Sequence, residues 1–309
     1  MKNILEIQDS GNNLITNEED IRAHCRNIYM DLFNPVSPSS PTGESQSFCD
    51  SLKHIPKKLT ADQIACLTAP FQPEEVKIAL FQMPHYKSLR PDGFLAEFYQ
   101  KNWDIIGEDV TRATLEFLNS GHILKEINNS FITLIPKVDN PTSMTDYRLI
   151  SLYNVIYKIS SKVLVNRLNP HMNSLISPFQ NGFVHGRSIQ DNIIMAQELT
   201  YTIRTSKCKK NGMEAIKIDM SKAYDRINWD FVLKLLDKVG FPPYWIKLIN
   251  DCVTTVMYSI IVNGQVSDTS SQIVGSDKVT SFPPFVLLSA RKLSLRPSNI
   301  IKTKTTLKE

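Results

Sequence analysis

Apolar residues recur every three or four positions along much of the chain, which is the spacing of amphipathic helices. The clearest stripe joins Ile106, Val110 and Phe117, and Gly121 follows it where many helices end in a left-handed residue. The same periodicity predicts helices over residues 17–33, 73–83, 104–120, 154–168, 189–203, 229–239 and 243–254.

Three other segments have strand patterns. An apolar run at 131–135 ends at Pro136, residues 214–220 alternate between apolar and polar, and residues 256–262 lead into Asn263-Gly264, a hairpin-turn dipeptide. Helices and strands that mix without regular alternation predict an α+β fold.

Net charge, cysteine spacing and the lengths of apolar runs exclude several classes of protein. A net charge of +4 over 309 residues argues against a purely electrostatic nucleic-acid binder. The five cysteines form no C-x-x-C pair, which excludes a disulfide framework and a structural zinc site and suits a reducing compartment. Without a secretory signal or a long apolar run, we expect an intracellular protein of the nucleus or cytoplasm, not secreted and without a membrane partner.

Two segments lack a periodic pattern. Residues 34–47 are rich in Pro and Ser, which predicts a linker. Beyond residue 267 the pattern is lost, and the last nineteen residues hold six basic side chains against Glu309, which predicts a basic tail without regular structure.

The segment most informative about chemistry surrounds Asp219, which ends the predicted strand at 214–220. A carboxylate held at a strand end suits Mg²⁺, which prefers oxygen ligands. Asp225 lies six residues further on, between Lys222 and Arg226. By spacing alone both acids are better interpreted as turn and helix-cap residues.

The wording of this segment, I-K-I-D-M-S-K-A-Y-D-R-I-N-W, resembles motif A of reverse transcriptases from non-LTR (LINE-type) retrotransposons, in the form common in plants. Further blocks resemble that family in its order: K-S-L-R-P-D-G-F at 87–94, L-I-P-K at 134–137, Y-R-L-I-S-L at 147–152, and Q-N-G-F-V-H-G-R at 180–187 with Asp191-Asn192. Several ordered blocks are far more specific than one short motif.

The resemblance implies an RNA-directed DNA polymerase, which joins a primer 3′-hydroxyl to a deoxynucleotide α-phosphate on an RNA template with the help of Mg²⁺. It implies that Asp219 is the catalytic metal ligand and that Tyr224 lies against the nucleotide sugar. Lys137 and Arg148 match the cations that hold the triphosphate. Asp225 matches a second acid, interpreted as a local organiser.

The resemblance also implies that Phe183, Gly186 and Arg187 lie along the template and the incoming nucleotide. For Arg187 the alternative is a solvated cation at a helix start. The implied fold is a right-hand polymerase: an upstream connector at 1–60, helix-rich fingers at 61–212, a partial palm with an incomplete antiparallel sheet at 213–266, and an unmatched, disordered tail at 267–309.

The chain also departs from the family pattern. The second catalytic block, F/Y-A-D-D, is missing, and no Asp-Asp pair occurs anywhere in the sequence. The block rich in R-G-L-R-Q-G-D-P is missing too, and Leu89, Arg90 and Leu149 replace expected Pro or Gly residues. We therefore expect a truncated, inactive polymerase fragment that leaves strand 256–262 as an exposed edge.

Three alternatives stay open. One is a non-catalytic remnant that still binds RNA or DNA through its cations. Another is a Mg²⁺-dependent phosphohydrolase built around Asp219, although the sequence nominates no second carboxylate for it. A group II intron-type maturase is a close variant of the polymerase interpretation.

Overall fold

A computed structural model of the protein describes residues 3–9, 11–33, 58–85, 92–182, 184–205, 229–266 and 273–274. The helices are α1 (Glu18–Phe33), α2 (Ala61–Thr68), α3 (Pro73–Phe81), α4 (Ala96–Lys101), α5 (Trp103–Ser120), α6 (Val155–Leu168), α7 (Met172–Leu175), α8 (Ile189–Thr205), α9 (Trp229–Val239) and α10 (Pro243–Thr254). The strands are β1 (Ile7–Gln8), β2 (Leu14–Ile15), β3 (Asn129–Pro136), β4 (Tyr147–Tyr153), β5 (Met257–Val262), β6 (Gln265–Val266) and β7 (Ile273–Val274). Short 3₁₀ turns lie at Met144–Asp146 and Asn169–His171.

The helices predicted from periodicity are confirmed, with ends that shift by two residues at most. In α5, Gly121 takes the left-handed conformation at φ 69° and donates its N–H to the carbonyl of Phe117, as its position predicted. The predicted linker at 34–47 and the predicted strand at 214–220 lie outside the described residues. Across the described ranges, no helix combines the length and the apolar character needed to cross a membrane.

The main sheet has the strand order β4-β3-β5-β6, and β7 also pairs with β5. The prediction of an exposed edge at 256–262 was therefore wrong, because β5 lies between β3 on one side and β6 and β7 on the other. The sheet is also mixed, since β3 and β5 run parallel. Strand β7 lies in the segment that was predicted to have no regular structure.

The two faces of the sheet have different surroundings. Along β3, Ser130, Ile132 and Leu134 are buried, while the residues between them are partly exposed. The buried face packs towards the helices, where Tyr153 at the end of β4 stacks on Tyr157 of α6 with ring centroids 5.1 Å apart. The other face of the β3–β4 pair is left partly open, which is the usual arrangement of an antiparallel pair with one face on the core.

Arg167 holds the loop between α2 and α3 against α6. Its guanidinium donates to both carboxylate oxygens of Glu75, at 2.6 and 2.7 Å, and to the carbonyls of Ala69 and Pro70. It also lies 3.7 Å above the ring of Phe71. A planar fork with five donors is suited to this set of acceptors.

Burial raises the pKa of the Glu75 carboxyl, but hydrogen bonds from Arg167 and from the Gln72 N–H, together with the Arg167 charge, lower it by more. The net pKa is below the ordinary value of 4.5. A lowered folded-state pKa gives stability that is present above the pKa of the unfolded chain and is lost as the pH falls through the folded-state value.

We predict that Arg167→Lys lowers the free energy of unfolding by about 2 kcal/mol at neutral pH, because an ammonium cannot reproduce the bidentate pair and the carbonyl contacts. Urea unfolding measures the difference.

In Glu75→Gln, the loss of stability that the wild-type chain shows below about pH 4.5 should be smaller. If the free energy of unfolding depends on pH equally in the wild type and in Glu75→Gln, the role given to the Arg167–Glu75 pair is wrong.

Asn263 connects the turn after β5 to the N-terminal segment of the chain. It occupies the left-handed region at φ 53° in the turn between β5 and β6, followed by Gly264 at φ 81°. Its amide accepts from the N–H of Ile4 at 2.7 Å and donates to the Ile4 carbonyl at 3.0 Å, as a neighbouring strand would. The turn residue predicted from the Asn-Gly pair therefore has a second, long-range role.

Asn263→Gly keeps a residue that tolerates positive φ but removes both hydrogen bonds to Ile4. We expect it to destabilise the fold by about 1–2 kcal/mol, with faster hydrogen exchange at the Ile4 amide. Asn263→Ala adds backbone strain and should lose roughly 1 kcal/mol more. If Asn263→Gly is as stable as the wild type, the contact with Ile4 contributes nothing.

Candidate functional site

The end of the β3–β4 ladder brings two predicted site residues together. Ile135 is paired with Arg148, and Pro136 with Tyr147. The N–H of Lys137 donates to the carbonyl of Asp146 at 2.7 Å, which extends the ladder by one more residue. Because opposite residues share a face and successive residues alternate, Lys137 and Arg148 lie on the same face as diagonal neighbours, with Cα atoms roughly 7–8 Å apart.

Both cations are exposed on the partly open face of the sheet. The Lys137 ammonium donates one hydrogen bond, 2.6 Å long, to the carbonyl of Thr145. An ammonium has three donors, so two remain for a ligand, and the guanidinium of Arg148 adds a planar donor set beside them. A pair of this kind is suited to phosphate oxygens, which form charge-assisted hydrogen bonds with both groups.

The turn that joins the two strands is held by its own polar side chains. The Asp146 carboxylate accepts from the N–H groups of Thr142 and Ser143, at 3.1 and 3.0 Å. The Ser143 hydroxyl oxygen accepts from the N–H of Thr145 at 3.1 Å. Sequence reasoning missed Asp146, although the Ser143-x-x-Asp146 spacing resembles a capping box and was the available signal.

Residues near the N-terminus support the same turn. The N–H of Gln8 in β1 donates to the carbonyl of Thr142 at 2.8 Å. In α1, the buried thiol of Cys25 lies 3.5 Å from the sulfur of Met144, and burial raises its pKa to about 11. The thiol is therefore protonated at neutral pH and acts as a packing group, not as a nucleophile.

Arg187 forms hydrogen bonds to the turn that precedes α8. Its guanidinium donates to the carbonyls of Ser177 and Gln180, both at 2.7 Å, and to the Asn173 side chain at 3.1 Å. It therefore ties together the turn that precedes α8, next to Gly186 at φ 78°. Neither contact with a template nor full solvation is needed to account for these bonds.

Several residues that the resemblance assigns to the metal, the sugar and the template fall in parts of the chain that the structure does not describe. Asp219, Tyr224, Asp225 and Phe183 all lie outside the described residues. Within the described ranges, no three His, Cys, Asp or Glu side chains are grouped closely enough to hold a metal ion. The structure therefore brings together Lys137 and Arg148 and leaves their relation to Asp219 as a prediction.

The chain is similar in sequence to a known protein family and to two transposon proteins. Residues 135–276 match the family model of reverse transcriptase (RNA-dependent DNA polymerase). The chain is 26% identical over 285 residues to the "Transposon TX1 uncharacterized 149 kDa protein" of Xenopus laevis, covering 89% of this chain and 21% of that protein. It is 26% identical over 258 residues to the "Probable RNA-directed DNA polymerase from transposon BS" of Drosophila melanogaster, covering 77% of this chain and 26% of that protein.

The region that matches the reverse transcriptase family model includes the cationic end of the β3–β4 ladder. Both relatives are named as transposon proteins, and these similarities support the resemblance to a non-LTR retrotransposon reverse transcriptase. The chain spans about a quarter or less of the length of these relatives. The family resemblance drawn from the sequence motifs is confirmed, and the match extends ten residues beyond the predicted palm boundary at 266.

Proposed function

We propose that this chain contributes the nucleotide-binding part of an RNA-directed DNA polymerase, and that Lys137 and Arg148 bind the triphosphate of the incoming deoxynucleotide. The observation that carries the proposal is their shared position on the exposed face of the β3–β4 ladder. A triphosphate carries several negative charges, and two adjacent cations neutralise part of them while fixing its orientation.

The remaining site residues enter from the family resemblance. Asp219 is proposed as the catalytic metal ligand, and Tyr224 as the aromatic residue that packs against the sugar. Mg²⁺ would neutralise charge on the phosphates during transfer. The described residues offer no carboxylate cluster for it, so Asp219 is the ligand that this proposal assigns. Arg187 acts indirectly, by holding the turn before α8 that is proposed to lie along the template.

The proposed partners are an RNA template and a DNA primer, with fingers at 61–212 and a partial palm at 213–266. The plant form of the family stays a prediction. Because the sequence contains no Asp-Asp pair, one acid of the two-metal site is not supplied by these residues. We therefore propose that this chain on its own binds a nucleotide without incorporating it.

Neutralising either cation should weaken the binding of a deoxynucleoside triphosphate. We predict that Lys137→Ala and Arg148→Ala each raise the dissociation constant about tenfold, since each removes a charge-assisted contact of roughly 1.4 kcal/mol. Titration calorimetry in the presence of Mg²⁺ measures the constants.

The matched control is Lys125→Ala, which removes the same charge from an exposed position outside the ladder. It should leave the dissociation constant within about twofold of the wild type. If it weakens binding as much as Lys137→Ala does, the effect comes from net charge alone and the proposed site is wrong.

Polymerase activity gives an independent prediction. The purified chain should incorporate no labelled deoxynucleotide on a primed RNA template with Mg²⁺, because a single assigned carboxylate cannot fix two metal ions. Incorporation that disappears in Asp219→Ala would show instead that other residues of this chain complete the metal site.

A further inference from the structure

Asp146 lies opposite Lys137 where the β3–β4 ladder ends, next to the two exposed cations. An acid at this place presents an electrostatic problem. A negative charge about 7 Å from a bound phosphate repels it by roughly 0.6 kcal/mol at the dielectric constant of water, or two- to threefold in affinity. Charge alone would therefore make Asp146 unfavourable for an anion-binding site.

The hydrogen bonds of Asp146 point to a different role. Its carboxylate oxygen accepts from the N–H groups of Thr142 and Ser143, and the Lys137 ammonium bonds to the carbonyl of Thr145 instead. Two backbone donors disperse part of the negative charge of the carboxylate. The acid is thus bound to the turn, and the ammonium keeps donors for a ligand.

The same turn determines where the ammonium lies. Asp146 and Ser143 together form the capping box of the 3₁₀ turn at Met144–Asp146. That turn presents the Thr145 carbonyl, which accepts from the Lys137 ammonium at 2.6 Å. The backbone carbonyl of Asp146 also accepts from the Lys137 N–H at 2.7 Å. Lys137 is therefore anchored at both its backbone and its side chain by the turn that Asp146 organises.

We propose that Asp146 is a positioning residue for Lys137 in the cationic pair, an acid whose presence strengthens the binding of a triphosphate. It acts through the turn and touches no ligand. A long lysine side chain loses rotamer entropy when it is fixed, and anchoring it before the ligand arrives removes part of that loss from binding. This inference rests on the proposed function of Lys137 and Arg148.

The direction in which one substitution changes the binding affinity distinguishes a positioning role from a purely electrostatic one. Asp146→Ala removes a negative charge, so electrostatics alone predicts tighter binding of inorganic tripolyphosphate by two- to threefold. Positioning predicts the opposite, a dissociation constant raised fivefold or more. Asp146→Asn should bind as tightly as the wild type or up to about threefold more tightly, because its amide oxygen accepts from the same two N–H groups while the negative charge is removed.

Two further variants of the full chain serve as controls. Asp139→Ala removes the same charge from an exposed position in the same connection between β3 and β4, and it should leave binding unchanged or slightly tighter. Asp146→Glu keeps the charge but moves the carboxylate by one methylene, so it should weaken binding. This variant reports on positioning even if Asp146→Ala does not fold.

Calorimetric titration with tripolyphosphate gives the binding constants, and hydrogen exchange at the Thr142 and Ser143 amides reports the turn directly. We expect faster exchange at both amides in Asp146→Ala and Asp146→Glu, and near wild-type exchange in Asp146→Asn. Binding in Asp146→Ala that is as tight as in Asp139→Ala would overturn the inference while leaving the proposed site intact. A wild-type chain that binds no tripolyphosphate would overturn both.

Discussion

The antiparallel pairing of β3 with β4 is the interaction on which the rest of the site depends. The pairing runs from Ser130 with Tyr153 to Pro136 with Tyr147, and the Lys137 N–H extends it. A slip of one residue would move Arg148 from the partly exposed face to the face that packs on the helices. The register therefore decides whether the two cations meet on the surface or are separated by the sheet.

That register is supported from distant parts of the chain. Strand β5 pairs with residues 129–133 of β3, and the turn after β5 is bonded to Ile4 through Asn263. The N-terminal segment also contacts the turn at Thr142 and Met144. Residues before position 34, which lie outside the region that matches the reverse transcriptase family, thus support both the sheet and the cationic turn.

Seven of the described helices were predictable because each carries its signal in its own sequence, as α5 does through its stripe and Gly121, whereas the short helices α2, α4 and α7 were not predicted. The sequence of β4 was recognised only as a family motif and not as a strand. Its local pattern of apolar and polar residues does not indicate that it pairs with β3. The contact between Asn263 and Ile4 joins residues 259 positions apart and could not have been inferred locally. The motif did not reveal the three oxygen acceptors that the Arg187 guanidinium bonds to, and the nucleotide-binding role of Arg187 stays a prediction.

The β3–β4 register places Lys137 and Arg148 where both can bind one triphosphate, as proposed above. A crystal structure of the chain with Mg²⁺ and a deoxynucleoside triphosphate would show whether they do. We expect phosphate oxygens within hydrogen-bonding distance of both the Lys137 ammonium and the Arg148 guanidinium. A triphosphate bound elsewhere, or a ladder in which the two side chains lie on opposite faces, would contradict this proposal.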